Sequence, residues 1–208
     1  IQQFYSGHSN RRSDEWGGSR EKRMRFPLAV IEAVVSAKAK HNANDFIVGY
    51  RFSPEEPEEL GITMEDTLAL IDVLKEQPLQ YLHISLWDFY KKVRRGADPA
   101  ACRIQLVHQQ IGGKLPLIGV GNIYTADEML EAFNTGWAEF IALGKTVMVN
   151  PDIATRILNG EESSIQRAIN PEQADHYGFS DTLWNFTISG TQAWLPPLKG
   201  QEAKIIDI

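Results

Sequence analysis

The chain has 208 residues, 43% of them hydrophobic; at that length roughly 70% of the unfolded surface can be buried, so neither a disulfide nor a metal is needed to hold a core, which argues against a small secreted scaffold. Its 27 acidic side chains outnumber 21 basic ones, for a formal charge of -6; nucleic acid is disfavoured as a partner, because phosphate backbones call for a basic face and the clusters Arg20 to Arg25 and Lys91 to Arg95 are short. The one cysteine, Cys102, can build neither an internal disulfide nor a thiolate cluster, which fits a reducing, cytoplasmic setting, and the longest apolar runs, such as Leu28 to Val35, fall well short of the roughly 20 residues of a membrane-spanning helix.

The chain begins Ile1-Gln2-Gln3-Phe4 with no initiator methionine and no charged leader, so its apolar start reads as an element cut in the middle. Ser19 caps a predicted helix running to His41, with Phe26, Ala29, Val30, Ala33, Val34 and Ala37 spaced by three and four. Four short apolar segments bounded by turn residues have the pattern of strands buried on both faces: Phe46 to Tyr50, Tyr81 to Ser85, Leu117 to Val120 and Phe140 to Leu143. Helices are expected between them. A capping box at Thr63-Met64-Glu65-Asp66 opens one that runs until Pro78, Asp98-Pro99 opens another stopped by Gly112-Gly113, and Thr125-Ala126-Asp127-Glu128 opens a third closed at Gly136. This alternation predicts parallel strands with right-handed crossovers, that is, repeated β/α units of the α/β class. Beyond Leu143, Pro151 to Asn159 and Ser163 to Ala168 read as short helices, and the tail from Phe179, with Trp184, Phe186, Trp194 and Pro196-Pro197, shows no clear period.

In parallel α/β folds ligands sit where strands end, which singles out Arg51, Ser85, Gly121 and the pair Gly144-Lys145. Glycines after two consecutive strands let backbone N–H groups approach phosphate oxygens, and Lys145 adds a point charge; the competing reading is two tight turns. Arg51 ends an apolar strand and demands either an anionic ligand or a structural ion pair with Glu55 or Glu56. His83 reads as a satisfied core histidine, and His8, His41, His108 and His176 have no metal-ligand spacing, so no metal is assigned. Cys102 falls on the apolar-lined helix opened by Asp98-Pro99 as inert packing, and Gly119-Val120-Gly121 lacks the third glycine of a dinucleotide fingerprint.

With the strand ends placed, the opening segment becomes informative. Ser9-Asn10-Arg11-Arg12-Ser13-Asp14-Glu15-Trp16-Gly17-Gly18-Ser19, followed by Arg23, Arg25 and Phe26-Pro27, closely resembles the motif after the fourth barrel strand in the old yellow enzyme family of FMN-dependent NAD(P)H oxidoreductases. Val48 to Pro54 resembles that family's fifth strand, Ile118 to Ile123 its seventh, and Ala142-Leu143-Gly144-Lys145 with Asn150-Pro151-Asp152 its eighth. The resemblance covers about three quarters of the chain. It implies a (β/α)8 TIM barrel, FMN as cofactor with NADH or NADPH as reductant, and hydride transfer through the flavin to an electrophilic carbon, typically of an activated alkene. Arg51 would face the pyrimidine edge of the flavin, Gly121 and Gly144 would bind its phosphate through N–H groups, and Lys145 would assist. Asn122 stands where a second glycine is common, and Lys145 where arginine is usual, which loses the bidentate fork and implies a looser phosphate grip.

A single cysteine and a short tail set the chain apart from family members with an iron–sulfur cluster. Against roughly 250 residues for such a barrel, 208 is a shortfall, and the chain reads as the C-terminal part: the end of strand 4, finishing at Phe4, through strand 8. Residues 1–160 are expected to be barrel and 161–208 a tail packed on the barrel or on a partner subunit, with a homo-oligomer left open. The family's substrate-anion donors and proton donor belong to the missing half; Tyr5 and His8 lie near the start, but no motif makes either one that donor. Two alternatives stand beside the oxidoreductase: a half-barrel with no activity alone, and an aldolase- or isomerase-type barrel that binds a phosphorylated metabolite.

Overall fold

The computed structural model describes residues 1–190 and 194–201. Four strands, β1 (Gly49–Phe52), β2 (Tyr81–Ile84), β3 (Leu117–Val120) and β4 (Phe140–Ala142), form one sheet in the order β1-β2-β3-β4. The pairs β1/β2 and β2/β3 are parallel, with Arg51 in register with His83 and His83 with Ile118. Helices α3 (Met64–Leu74), α4 (Arg103–Ile111) and α5 (Ala126–Asn134) lie between successive strands, which is the β/α alternation expected from the sequence. The chain divides into two compact units: Ile1–Leu86, Tyr90–Gly119 and Gly136–Phe140 form the first, and Trp87–Phe89, Val120–Thr135 and the described part of Ile141–Ile208 form the second.

In the first unit the strands are buried on one face only. Tyr50, Phe52, Leu82 and Ile84 are buried, whereas Gly49 and Arg51 are exposed and Tyr81 and His83 are half-buried. Burial on both faces was expected; the described residues cover one. The buried set belongs to the same core as Leu70, Ile71 and Leu74 of α3 and Ile104, Val107 and Ile111 of α4, all at most 3% exposed. Helix α3 starts at the expected capping box, Thr63 accepting from the Asp66 N–H and the Asp66 carboxylate accepting from the Thr63 N–H at 3.0 Å. Bonds from Lys75 Nζ to the Gln110 carbonyl (2.9 Å) and from Gln110 Nε2 to Asp72 (2.7 Å) join α3 to α4.

Several boundaries differ from expectation. The opening segment is not the tail of a strand but a helical turn, α1 (Gln2–Tyr5). Its backbone is satisfied locally, through Phe4 N–H to Ile1 and Ser6 N–H to Gln2, where a strand would need a neighbouring strand. The turn is pinned to α2 (Arg20–Lys40) by a Phe4–Phe26 stack with centroids 3.8 Å apart and by Arg23 Nε donating to the Tyr5 carbonyl at 2.7 Å. Strand β1 begins at Gly49, because pairing with β2 starts at Gly49 and Tyr81; Phe46 and Ile47, expected in the strand, are 64% and 65% exposed. Helix α4 begins at Arg103, not at Asp98-Pro99. Its predecessors are held extended by a Lys92–Cys102 antiparallel bridge, with Val93 N–H on the Ala101 carbonyl and Arg103 N–H on the Lys91 carbonyl, while Asp98 Oδ1 caps a turn at Ala100. Cys102 is therefore the N-cap of α4, buried at 2% exposure, and not a residue of the helix face.

In the second unit, α5 opens on the expected capping box of Thr125 and Glu128. Short helices α6 (Lys145–Val149), α7 (Ile153–Leu158), α8 (Ala174–Tyr177) and α9 (Asp181–Ile188) follow, with a 3-10 turn at Glu162–Ser164 where a longer helix to Ala168 was expected. The tail without a clear period has order after all: Tyr177, Ile169 and Leu198 form a small core with Val149, and Trp184 stacks on Tyr177 at 5.8 Å. Buried Asn150 clamps this region, its amide giving to and taking from the Gln166 backbone at 2.8 Å each way. The tail's final residues, 202–208, lie outside the described residues. Among the described residues no helix is long and apolar enough to cross a membrane.

Candidate functional site

The residues singled out at strand ends fall in both units. In the first unit, Arg51 projects from the uncovered face of β1 and donates to Ser85 Oγ at 2.7 Å, the hydroxyl that follows β2. Ser85 is fixed in turn by its own N–H on the Phe52 carbonyl at 2.8 Å. The alternative of an ion pair to Glu55 or Glu56 is not what forms. Glu55 pairs with Arg103 at 2.6 Å and accepts the N–H groups of Arg94 and Arg95, while Glu56 accepts from Gln2, Ser6 and Ile62. Arg51 is thus exposed, not buried, and its guanidinium is held by a neutral hydroxyl, which leaves its charge uncompensated by those carboxylates.

Beside Arg51 in register stands His83. It is half-buried, and its buried Nε2 has no hydrogen-bond partner among the described residues, so the expectation of a satisfied core histidine does not hold. Burial, and then the charge of Arg51, push the His83 pKa below its ordinary value. The imidazole therefore sits neutral beside a fixed cation, with a nitrogen able to donate or accept.

In the second unit the strand-end residues come from three successive loops. After β3, Gly121 adopts φ +145°, and a Cβ there would lie 2.5 Å from the Phe89 nitrogen and 2.6 Å from the Asp88 carbonyl carbon. Its own carbonyl accepts the Phe89 N–H at 3.1 Å. Close approach of the segment after β2 is thus a structural reason for glycine at this position. Gly144, after β4, is the opposite case: nothing lies within 4 Å of where its Cβ would be, so its face is open to a ligand. Lys145 places Nζ 5.0 Å from the centroid of the Trp87 ring, and burial pulls its pKa below the ordinary lysine value. Thr146, 1% exposed, donates its hydroxyl to the Ile123 carbonyl and ties the start of α6 to the loop after β3. Asn122, in the same loop, sits at φ +53°, a conformation asparagine tolerates better than most side chains.

Trp87 was not singled out from sequence. The strand-end rule stopped at Ser85, although the run Ser85-Leu86-Trp87-Asp88-Phe89 carries two aromatic residues directly after a strand. The buried pair of Glu55 and Arg103 was missed as well, since nothing local connects residues so far apart in sequence.

Consecutive parallel strands, each leading into a helix, with glycines and a lysine at the later strand ends, define a partial (β/α)8 barrel of the kind that binds phosphate-bearing ligands at its strand ends. The model of the NADH:flavin oxidoreductase / NADH oxidase family matches residues 1–164, and the chain belongs to that family. It is 44% identical over 196 residues to the probable NADH-dependent flavin oxidoreductase YqiG of Bacillus subtilis (strain 168), covering 94% of this chain and 52% of that protein. It is 39% identical over 164 residues to the NADH:acrylate oxidoreductase of Vibrio harveyi, covering 77% of this chain and 16% of that one. Among solved structures, the old yellow enzyme homologue from Zymomonas mobilis matches in fold with a TM-score of 0.60 at 19% identity, over 88% of this chain and 48% of that chain. The chain thus spans about half the length of YqiG and less of the others. The old yellow enzyme resemblance and the barrel class read from the sequence both stand, and family membership displaces the aldolase- or isomerase-type reading.

Proposed function

We propose that this chain supplies the cofactor-holding C-terminal portion, residues 1–160 with a packed tail over 161–208, of an FMN-dependent oxidoreductase of old yellow enzyme type. Its reaction would pass hydride from NAD(P)H to an electrophilic small-molecule acceptor, such as an activated alkene, in a cytoplasmic setting. The observation that carries this reading is the open face of Gly144 beside Lys145 in the second unit, an exposed glycine with no atom within 4 Å of where a Cβ would lie. Uncompensated Arg51 and the orphaned nitrogen of His83 in the first unit fit the acceptor- and donor-rich edge of a flavin.

FMN, when bound, supplies the hydride-accepting and hydride-donating chemistry. The protein's share is binding and electrostatics. Arg51, aimed by Ser85, would hold negative charge at the pyrimidine edge. Gly121 and Gly144 would bring backbone N–H groups to the phosphate, with Lys145 as its countercharge. The acrylate in the name of the Vibrio harveyi relative supports an alkene as acceptor.

The uncovered face of β1 and β2 favours a second reading, a half-barrel that needs further strands before it reacts. The two are separated by mixing the FMN-reconstituted protein with NADH without oxygen. Bleaching of the flavin absorbance, and its return on adding an activated alkene, is the expected result for an oxidoreductase. Retained flavin that NADH does not bleach leaves only the half-barrel.

A further inference from the structure

A lysine in place of the more usual arginine should grip phosphate loosely, because an ammonium on a four-carbon stem has many rotamers to lose when it is fixed. The second unit contains a feature that offsets this. Nζ of Lys145 lies 5.0 Å from the centroid of the Trp87 indole, within the range over which a cation is drawn to an aromatic face. The segment that carries the ring is anchored. Two residues on, Phe89 is fully buried and its N–H is bonded to the Gly121 carbonyl, an approach so close that only glycine fits at 121. Trp87 itself remains 46% exposed, so its indole is not spent in the core. Burial pulls the Lys145 pKa below the ordinary lysine value, and an anion brought to the ammonium would act against that shift.

We propose that Trp87 is a positioning residue for Lys145, its indole face holding the ammonium in place for the phosphate of the bound cofactor. This rests on the FMN reading above and adds a third strand end to it. The segments after β2, β3 and β4 then act together: Gly121 seats the loop that carries Trp87, Trp87 orders Lys145, and Gly144 leaves the adjacent space open. The rigid ring supplies by preorganisation what the arginine fork supplies by geometry.

The test compares FMN with riboflavin, which lacks the phosphate, by flavin-fluorescence titration of the full chain and of Trp87→Leu, Trp87→Phe, Lys145→Met and the Trp87→Leu/Lys145→Met double variant. Trp87→Leu and Lys145→Met are each expected to weaken FMN binding about tenfold and leave riboflavin binding unchanged. The double variant should be no weaker than Lys145→Met, and Trp87→Phe, which keeps a ring of lower affinity for cations, should fall between wild type and Trp87→Leu. Equal loss of both flavins in the tryptophan variants, or additive losses in the double variant, would overturn the positioning role. So would wild-type FMN binding in Trp87→Leu; if Lys145→Met still lost its preference for FMN, the phosphate reading would survive that failure. Unchanged FMN preference in Lys145→Met, or no flavin binding by wild type, would overturn the phosphate reading and this inference together.

Discussion

Arg51→Met is expected to slow NADH-driven bleaching of the bound flavin by about 10²- to 10³-fold, the usual cost of removing one preorganised donor from developing negative charge. The guanidinium is exposed on the open face of β1 and bonded to the neutral Ser85 hydroxyl, so its charge is available and its direction is set. Methionine keeps the length of the side chain and removes the charge. Because Arg51 takes no part in the buried core, its thermal unfolding should stay within about 0.5 kcal/mol of wild type. Arg51→Lys restores a charge without the planar fork and should recover part of the rate. Stopped-flow absorbance and a melting curve on the same preparation check both halves. An unchanged rate would remove Arg51 from the flavin edge, and a large stability loss would make it a structural residue.

Glu55→Ala is expected to cost about 3–5 kcal/mol of stability, the range for breaking a buried ion pair from one side. The Glu55 and Arg103 side chains are 1% and 10% exposed and meet at 2.6 Å. The same carboxylate accepts the N–H groups of Arg94 and Arg95 at 2.9 Å each. Alanine removes the acceptor of two backbone donors and the countercharge of Arg103, which keeps its bond to the Lys92 carbonyl at 2.9 Å. At roughly 2–4 °C per kcal/mol for a chain of this size, the melting midpoint should fall on the order of 6–20 °C. Glu55→Gln keeps an acceptor and should lose less. A shift of about 1 kcal/mol or under in Glu55→Ala would mean that water reaches the pair and that the loop over residues 91–95 does not depend on it.

These two residues show where sequence reading reached and where it stopped. Arg51 was legible because an arginine closing an apolar strand is conspicuous and strand ends are where α/β folds place ligands. Its acidic neighbours in sequence were the natural partners, yet Glu55 is claimed by Arg103 and Glu56 by Gln2 and Ser6, contacts that only the tertiary fold creates. Helix starts at Thr63 and Thr125 were legible because a capping box lies within four residues. The start of α4 was not: Asp98-Pro99 is a good local signal, but the bridge between Lys92 and Cys102 holds the next residues extended. Strand limits failed for the same reason, since pairing with Tyr81 decides where β1 begins, whatever the apolar character of Phe46 and Ile47. That Arg51 and His83 stand in register on one face, and that the described residues leave this face uncovered, follows from strand pairing and was not legible in the local pattern. The short helix α7 was legible between Pro151 and Asn159, whereas in the tail α8 and α9, of four and eight residues, are too brief to show a period.

The central claim is that this chain holds FMN by residues at its own strand ends, and flavin retention tests it most directly. After incubation with FMN or with riboflavin, the purified chain is passed through gel filtration and flavin absorbance is read in the protein peak. FMN should co-elute with the protein at close to one per chain, and riboflavin markedly less, because only FMN carries the phosphate that Gly121, Gly144 and Lys145 would bind. A protein peak without flavin, or with equal amounts of the two, would contradict the account.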